Sequence, residues 1–108
     1  MPQYLLQVAY TSEAWATQLK NPQNRREVVS SVVERLGGHI DSAYYAFGNY
    51  DVILIVDMPD NVSAAAFSLA VSAGGAVRAI KTTPLLAIDD GIEAMKLAAG
   101  AGYRPPSS

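Results

Sequence analysis

No cysteine occurs in the 108 residues, which excludes disulfides, thiolate nucleophiles and Cys-ligated zinc. Charge is also scarce: 17% of residues are Asp, Glu, Lys or Arg, for a formal net charge of -2. The eight basic residues are scattered, with Arg25-Arg26 the one adjacent pair, so the clustered cations of a nucleic-acid binder are missing. Such a pair on a helix reads first as a solvated face. Histidine occurs once, so no second imidazole completes a metal set. Long apolar runs are missing too. The longest aliphatic run, Val52 to Val56, is about a quarter of the roughly 20 residues a membrane-spanning helix needs. Met1-Pro2-Gln3-Tyr4 offers neither a basic n-region nor an apolar h-region, so the expected location is the cytoplasm, with no membrane and no nucleic-acid partner. Apolar residues, by contrast, make up half of the chain, enough for one hydrophobic core.

Tyr4 to Tyr10 reads as a first strand, and Thr11-Ser12 can cap a short helix over Ser12 to Lys20. Within that helix Trp15 and Leu19 share a face. Asn21-Pro22 supplies an N-cap and an N1 proline for a second helix. There Val29, Val32, Val33 and Leu36 fall at i, i+3, i+4 and i+7, and Gly37-Gly38 ends the stripe. A third helix opens at Pro59-Asp60-Asn61, presents Val62, Ala65, Ala66, Leu69 and Ala70, and stops at Gly74-Gly75. Ala76 to Ile88 supplies a fourth strand bent at Pro84, whose missing amide is tolerated only at an edge or a strand end. Asp90-Gly91-Ile92-Glu93 resembles a capping pair for a last helix contacting through Ile92 and Met95.

The middle of the chain predicts a hairpin, His39 to Phe47 and Tyr50 to Met58, closed by a Gly48-Asn49 turn with glycine at positive φ. Its register sets Phe47 opposite Tyr50, Tyr45 opposite Val52 and Ala43 opposite Leu54 on one face. Ala46 opposite Asp51, Tyr44 opposite Ile53 and Ser42 opposite Ile55 make the other. Both faces are apolar, so one is expected under this chain's helices and the other against a second subunit's sheet. The element order β-α-β-β-α-β with an appended helix makes a ferredoxin-like antiparallel sheet with helices on one face the leading arrangement. Residues 1–100 are expected to form a single α+β domain, and residues 101–108 a tail.

Asp51 is the foremost functional candidate, a carboxylate on a face made of Ala46, Tyr44 and Ile53. It is expected either to pair with Arg78 or Lys81 or anchor the hairpin, or else to serve as a desolvated general base. His39 is the second candidate base, with a plain surface histidine as the alternative. Tyr10, Tyr44, Tyr45 and Tyr50 offer phenols to a small polar ligand, or ordinary cross-strand packing; Tyr44 and Tyr45 alternate and should not share a pocket. The candidate ligand-binding set is therefore Tyr44, Tyr50, Asp51, Arg78 and Lys81. Lys81-Thr82-Thr83 offers an amine beside two hydroxyls, without a Walker-type glycine pattern. Asp57, Asp60, Asp89 and Asp90 read as caps and turn residues, so no metal and no cofactor are expected.

The chain resembles the bacterial GYD domain family, whose Gly-x-Tyr-Asp element is matched by Gly48, Tyr50 and Asp51. The likeness extends over Tyr4-Leu5-Leu6-Gln7, Asn21-Pro22-Gln23, Arg25-Arg26, Asp57-Met58-Pro59-Asp60-Asn61, Lys81-Thr82-Thr83-Pro84-Leu85 and Gly102-Tyr103-Arg104-Pro105-Pro106. What the resemblance implies is a ferredoxin-like or dimeric α+β barrel style of fold, with no established reaction or cofactor. Two functions follow as expectations. The first is an oligomeric small-molecule-binding or regulatory protein, a homo-oligomer built through the sheet; the alternative is a cofactor-independent enzyme of isomerase or monooxygenase type, with Asp51 or His39 as base.

Overall fold

A computed structural model describes residues 1–107. Four strands, β1 (Gln3–Tyr10), β2 (His39–Tyr45), β3 (Val52–Asp57) and β4 (Val77–Leu85), and four helices, α1 (Ser12–Lys20), α2 (Arg25–Arg35), α3 (Asn61–Ala73) and α4 (Ile88–Ala99), follow one another as β1-α1-α2-β2-β3-α3-β4-α4. The strands form one antiparallel α+β sheet in the order β2-β3-β1-β4.

Strand periodicity decides which side is buried. Tyr4, Leu6 and Val8 of β1 and Leu54 and Val56 of β3 point to one face, where Val33 of α2 and Ala64 and Phe67 of α3 meet them. Removing a side chain the size of Leu6 or Phe67 from water contributes about 1.5–3 kcal/mol. The opposite face carries Leu5, Ile53 and Ile55, which stay part-exposed and, among the described residues, lie outside the core cluster. Both edge strands are irregular. The register skips Asp41 in β2 and Arg78 in β4, and Pro84 sits within β4 opposite Tyr4. Bulges and an edge proline discourage further strands from adding there.

Helix α4 stands apart. Its Ile88, Ile92 and Met95 are exposed at i, i+4, i+7 spacing, and none of its residues is buried. The radius of gyration, 17.4 Å, exceeds the ~13 Å of a compact chain this long, and the molecule extends to 57 Å along its longest axis. No helix among the described residues is long and apolar enough to cross a membrane.

Several local expectations change. The cap of α2 is Asn24, whose side chain accepts the Arg26 amide, because the chain stays non-helical through Gln23 and Asn24. Helix α3 buries Ala64 and Phe67 and leaves Val62 (78%) and Leu69 (70%) exposed, so its inward stripe is rotated from the anticipated one. Helix α4 begins at Ile88 without a side-chain cap, and Asp89 and Asp90 sit in its first turn. The Gly37-Gly38 stop stands as expected: Gly37 adopts φ +89°, and the Gly38 amide donates to the Val33 carbonyl.

Candidate functional site

The β2–β3 connection is wider than a two-residue turn. The strands end at Tyr45 and Val52, the Ala46 amide donates to the Asp51 carbonyl at 2.8 Å, and Phe47 to Tyr50 form the loop, with Phe47 wholly exposed. Positive φ occurs at Gly37, Gly75 and Gly102 and not at Gly48. The cause lies in Asp51. Its amide donates to the Val8 carbonyl at 2.8 Å, and its carboxylate accepts from the Tyr10 amide at 2.8 Å and the Trp15 indole at 3.3 Å. An aspartate so held against β1 cannot let Tyr50 close a pair with Phe47. The inner register still holds as anticipated, with Tyr45 opposite Val52, Tyr44 opposite Ile53 and Ala43 opposite Leu54.

Asp51 thus meets neither Arg78 nor Lys81. Arg78, in the β4 bulge, donates instead to the Asn49 carbonyl at 3.3 Å and ties the loop to the edge strand. Lys81 is exposed on the other side of β4 from Thr82, whose hydroxyl lies 2.8 Å from that of Ser68 in α3, so Lys81 and Thr82 do not converge on an anion. His39 pairs across the strands with Asp57, Nε2 to carboxylate at 2.7 Å. Among the described residues no three His, Asp or Glu side chains gather to hold a metal ion.

Trp15 joins this assembly with no motif to announce it. Its ring meets Tyr10 edge-on, centroids 5.3 Å apart, and lies 6.3 Å from Tyr45. The available signal was its place on the first helix, five residues past Tyr10. Beside these rings a cleft of about 390 Å³ opens between the start of α2 and the inner face of β2 and β3. Val29, Ala43, Val52 and Leu54 form its apolar walls; Tyr10, Asn24, Arg25 and Arg26 add polar groups to its lining. Tyr44 and Tyr45 both border its mouth, because β2 is an edge strand and the cleft wraps over that edge. Tyr50 and Lys81 do not line it. A second hollow of about 290 Å³ toward α3 shares Tyr10, Arg25, Val29, Val52 and Leu54. Burial pushes the Tyr10 phenol up from its usual range, and the nearby Arg25 guanidinium partly opposes the shift.

The GYD domain family model matches residues 4–95, spanning all four strands and reaching into α4. The chain belongs to the GYD domain family. No curated protein and no solved structure matches it. In this GYD protein the Gly-x-Tyr-Asp element divides by task. Gly48 and Tyr50 lie in the loop, and Asp51 fastens that loop to β1 and α1.

Proposed function

We propose that this GYD protein is an oligomeric small-molecule-binding or regulatory protein, with a ferredoxin-like fold that pairs in the dimeric α+β barrel style. The cleft carries the reading: its volume falls within the range of small-molecule sites, and its lining combines apolar walls with a few polar groups. Catalysis by a carboxylate or imidazole base has less support. Asp51 is engaged by two donors and His39 by Asp57. Pairing of two copies is supported by the part-exposed Leu5, Ile53 and Ile55 on the outer face of the sheet and by the exposed stripe of α4. Irregular edges disfavour edge-to-edge addition and leave face-to-face stacking as the simpler route.

Two measurements test this. A fragment screen followed by amide chemical shifts should find ligands that perturb Val29, Ala43 and Val52 and that Ala43→Phe weakens by filling the cleft; hits scattered elsewhere sink the binding reading. Sedimentation velocity should report a dimer or larger species that Ile55→Lys dissociates. A wild-type monomer at tens of micromolar removes the pairing.

A further inference from the structure

Arg25 sits half-buried where the apolar cleft and its neighbouring hollow meet, and it borders both. Among the described residues no carboxylate lies within ion-pairing distance of it; the ion pairs there are His39–Asp57 and Lys96–Glu93. Asp51, the acidic group nearest the ring cluster, is turned into the Tyr10 amide and the Trp15 indole and does not neutralise it. Tyr10 is 8% exposed and faces the same space, adding a phenol donor beside the guanidinium. A planar cation that borders an apolar cleft, has no carboxylate partner among the described residues and bonds only toward the neighbouring Tyr10 hydroxyl matches a carboxylate, which its remaining donors can grip through two parallel bonds.

We infer that the cleft takes a small organic monocarboxylate with a flat apolar body, its carboxylate on Arg25 and the Tyr10 hydroxyl and its body against Val29, Val52 and Tyr45. The inference rests on the binding reading above and names the ligand class for that site. The volume, about 390 Å³, has room for about a dozen water molecules at liquid density, which suits an arylalkyl acid better than a nucleotide. A single charge is favoured because Arg25 alone is both half-buried and at the meeting of the two hollows, whereas Arg26 is exposed.

The test is isothermal titration and amide chemical-shift mapping with matched probes: benzoate, 3-phenylpropionate and 4-phenylbutyrate, each beside its primary amide and its amine. At least one acid should bind tenfold or more tighter than its amide and amine, with shifts at Val29, Val52 and Leu54. Arg25→Gln should abolish that preference by weakening the acid far more than the amide. Arg25→Lys should keep part of it, and Arg35→Gln, a charge loss at the far end of α2, should change nothing. Equal binding of acid and amide in the cleft would overturn the carboxylate assignment and leave the binding reading standing. Preference for the acid that survives in Arg25→Gln would overturn the role of Arg25, and absence of binding by every probe would overturn the ligand class.

Discussion

The Asp51 carboxylate accepts the backbone N–H of Tyr10 at 2.8 Å, at the point where β1 ends and the β2–β3 loop returns to it. The same oxygen accepts a hydrogen bond from the Trp15 indole N–H, so one side chain joins a strand end, a loop and α1. Removing it strands two donors in a part-buried position. Asp51→Ala should cost about 1–3 kcal/mol in urea unfolding, and Asp51→Asn, which keeps an acceptor oxygen, should cost less. Trp15, the sole tryptophan, should report the loss as altered emission in the folded state. Unchanged stability in Asp51→Ala would show that water replaces the carboxylate without penalty.

Gly38 is required by close approach. A Cβ there would fall 2.2 Å from the Asp57 carbonyl oxygen and 2.6 Å from the Met58 sulfur. The oxygen belongs to the backbone and cannot swing away as a side chain would. Gly38→Ala should destabilise by about 1–3 kcal/mol, as overpacking does, and loosen the pairing of His39 with Asp57 on the adjacent strand. Thermal denaturation checks the first effect and histidine ring NMR the second.

Hairpin register was legible because centring the hairpin on Gly48-Asn49 sets Tyr45 opposite Val52, as the structure has it, and Pro84 called for an edge or a strand end, which the edge strand β4 supplies. The turn was not. Gly48-Asn49 satisfies the local rule for a tight hairpin, but the competing demand of Asp51 for the Val8 carbonyl and the Tyr10 amide spans 41 residues or more and leaves no local trace. Helix α3 misled for another reason. Nearly every residue in it is small or apolar, so periodicity could not distinguish the Ala64–Phe67 face from the Val62–Leu69 face; Phe67, its one aromatic, was the better guide. The cleft was partly visible. Tyr44 belonged to the anticipated ligand set, while Arg25 read as a solvated cation because only tertiary packing brings the start of α2 over β2 and β3.

Asp60 caps α3 by accepting the Ser63 amide at 2.8 Å, and these bonds hold its carboxyl below the usual range. A depressed folded-state pKa means that the stabilisation is present above the unfolded value of about 4 and is lost as pH falls through the lower folded value. At neutral pH Asp60→Ala should lower Tm by roughly 5 °C, while Asp60→Asn, an equally good cap, should change it little. Below about pH 4 the gap between wild type and Asp60→Ala should narrow. A gap that stays constant down to pH 2 would mean that the charged carboxylate contributes nothing beyond its shape.

Tyr10 works in the opposite pH range. Burial raises its phenol above the ordinary value of about 10, with Arg25 pulling the other way and the Tyr45 and Asp51 charges adding slightly to the rise. Its neutral form is the one the fold favours. The contribution is therefore complete below about pH 10 and is lost as pH rises through the folded value, because the unfolded chain ionises first. Absorbance at the tyrosinate band should contain a late alkaline step that belongs to Tyr10. Tyr10→Phe should remove that late step and flatten the alkaline fall in stability. Arg25→Gln should push the step later still, since it deletes the cation that partly offsets burial, and an unmoved step would show that the guanidinium does not reach the phenol.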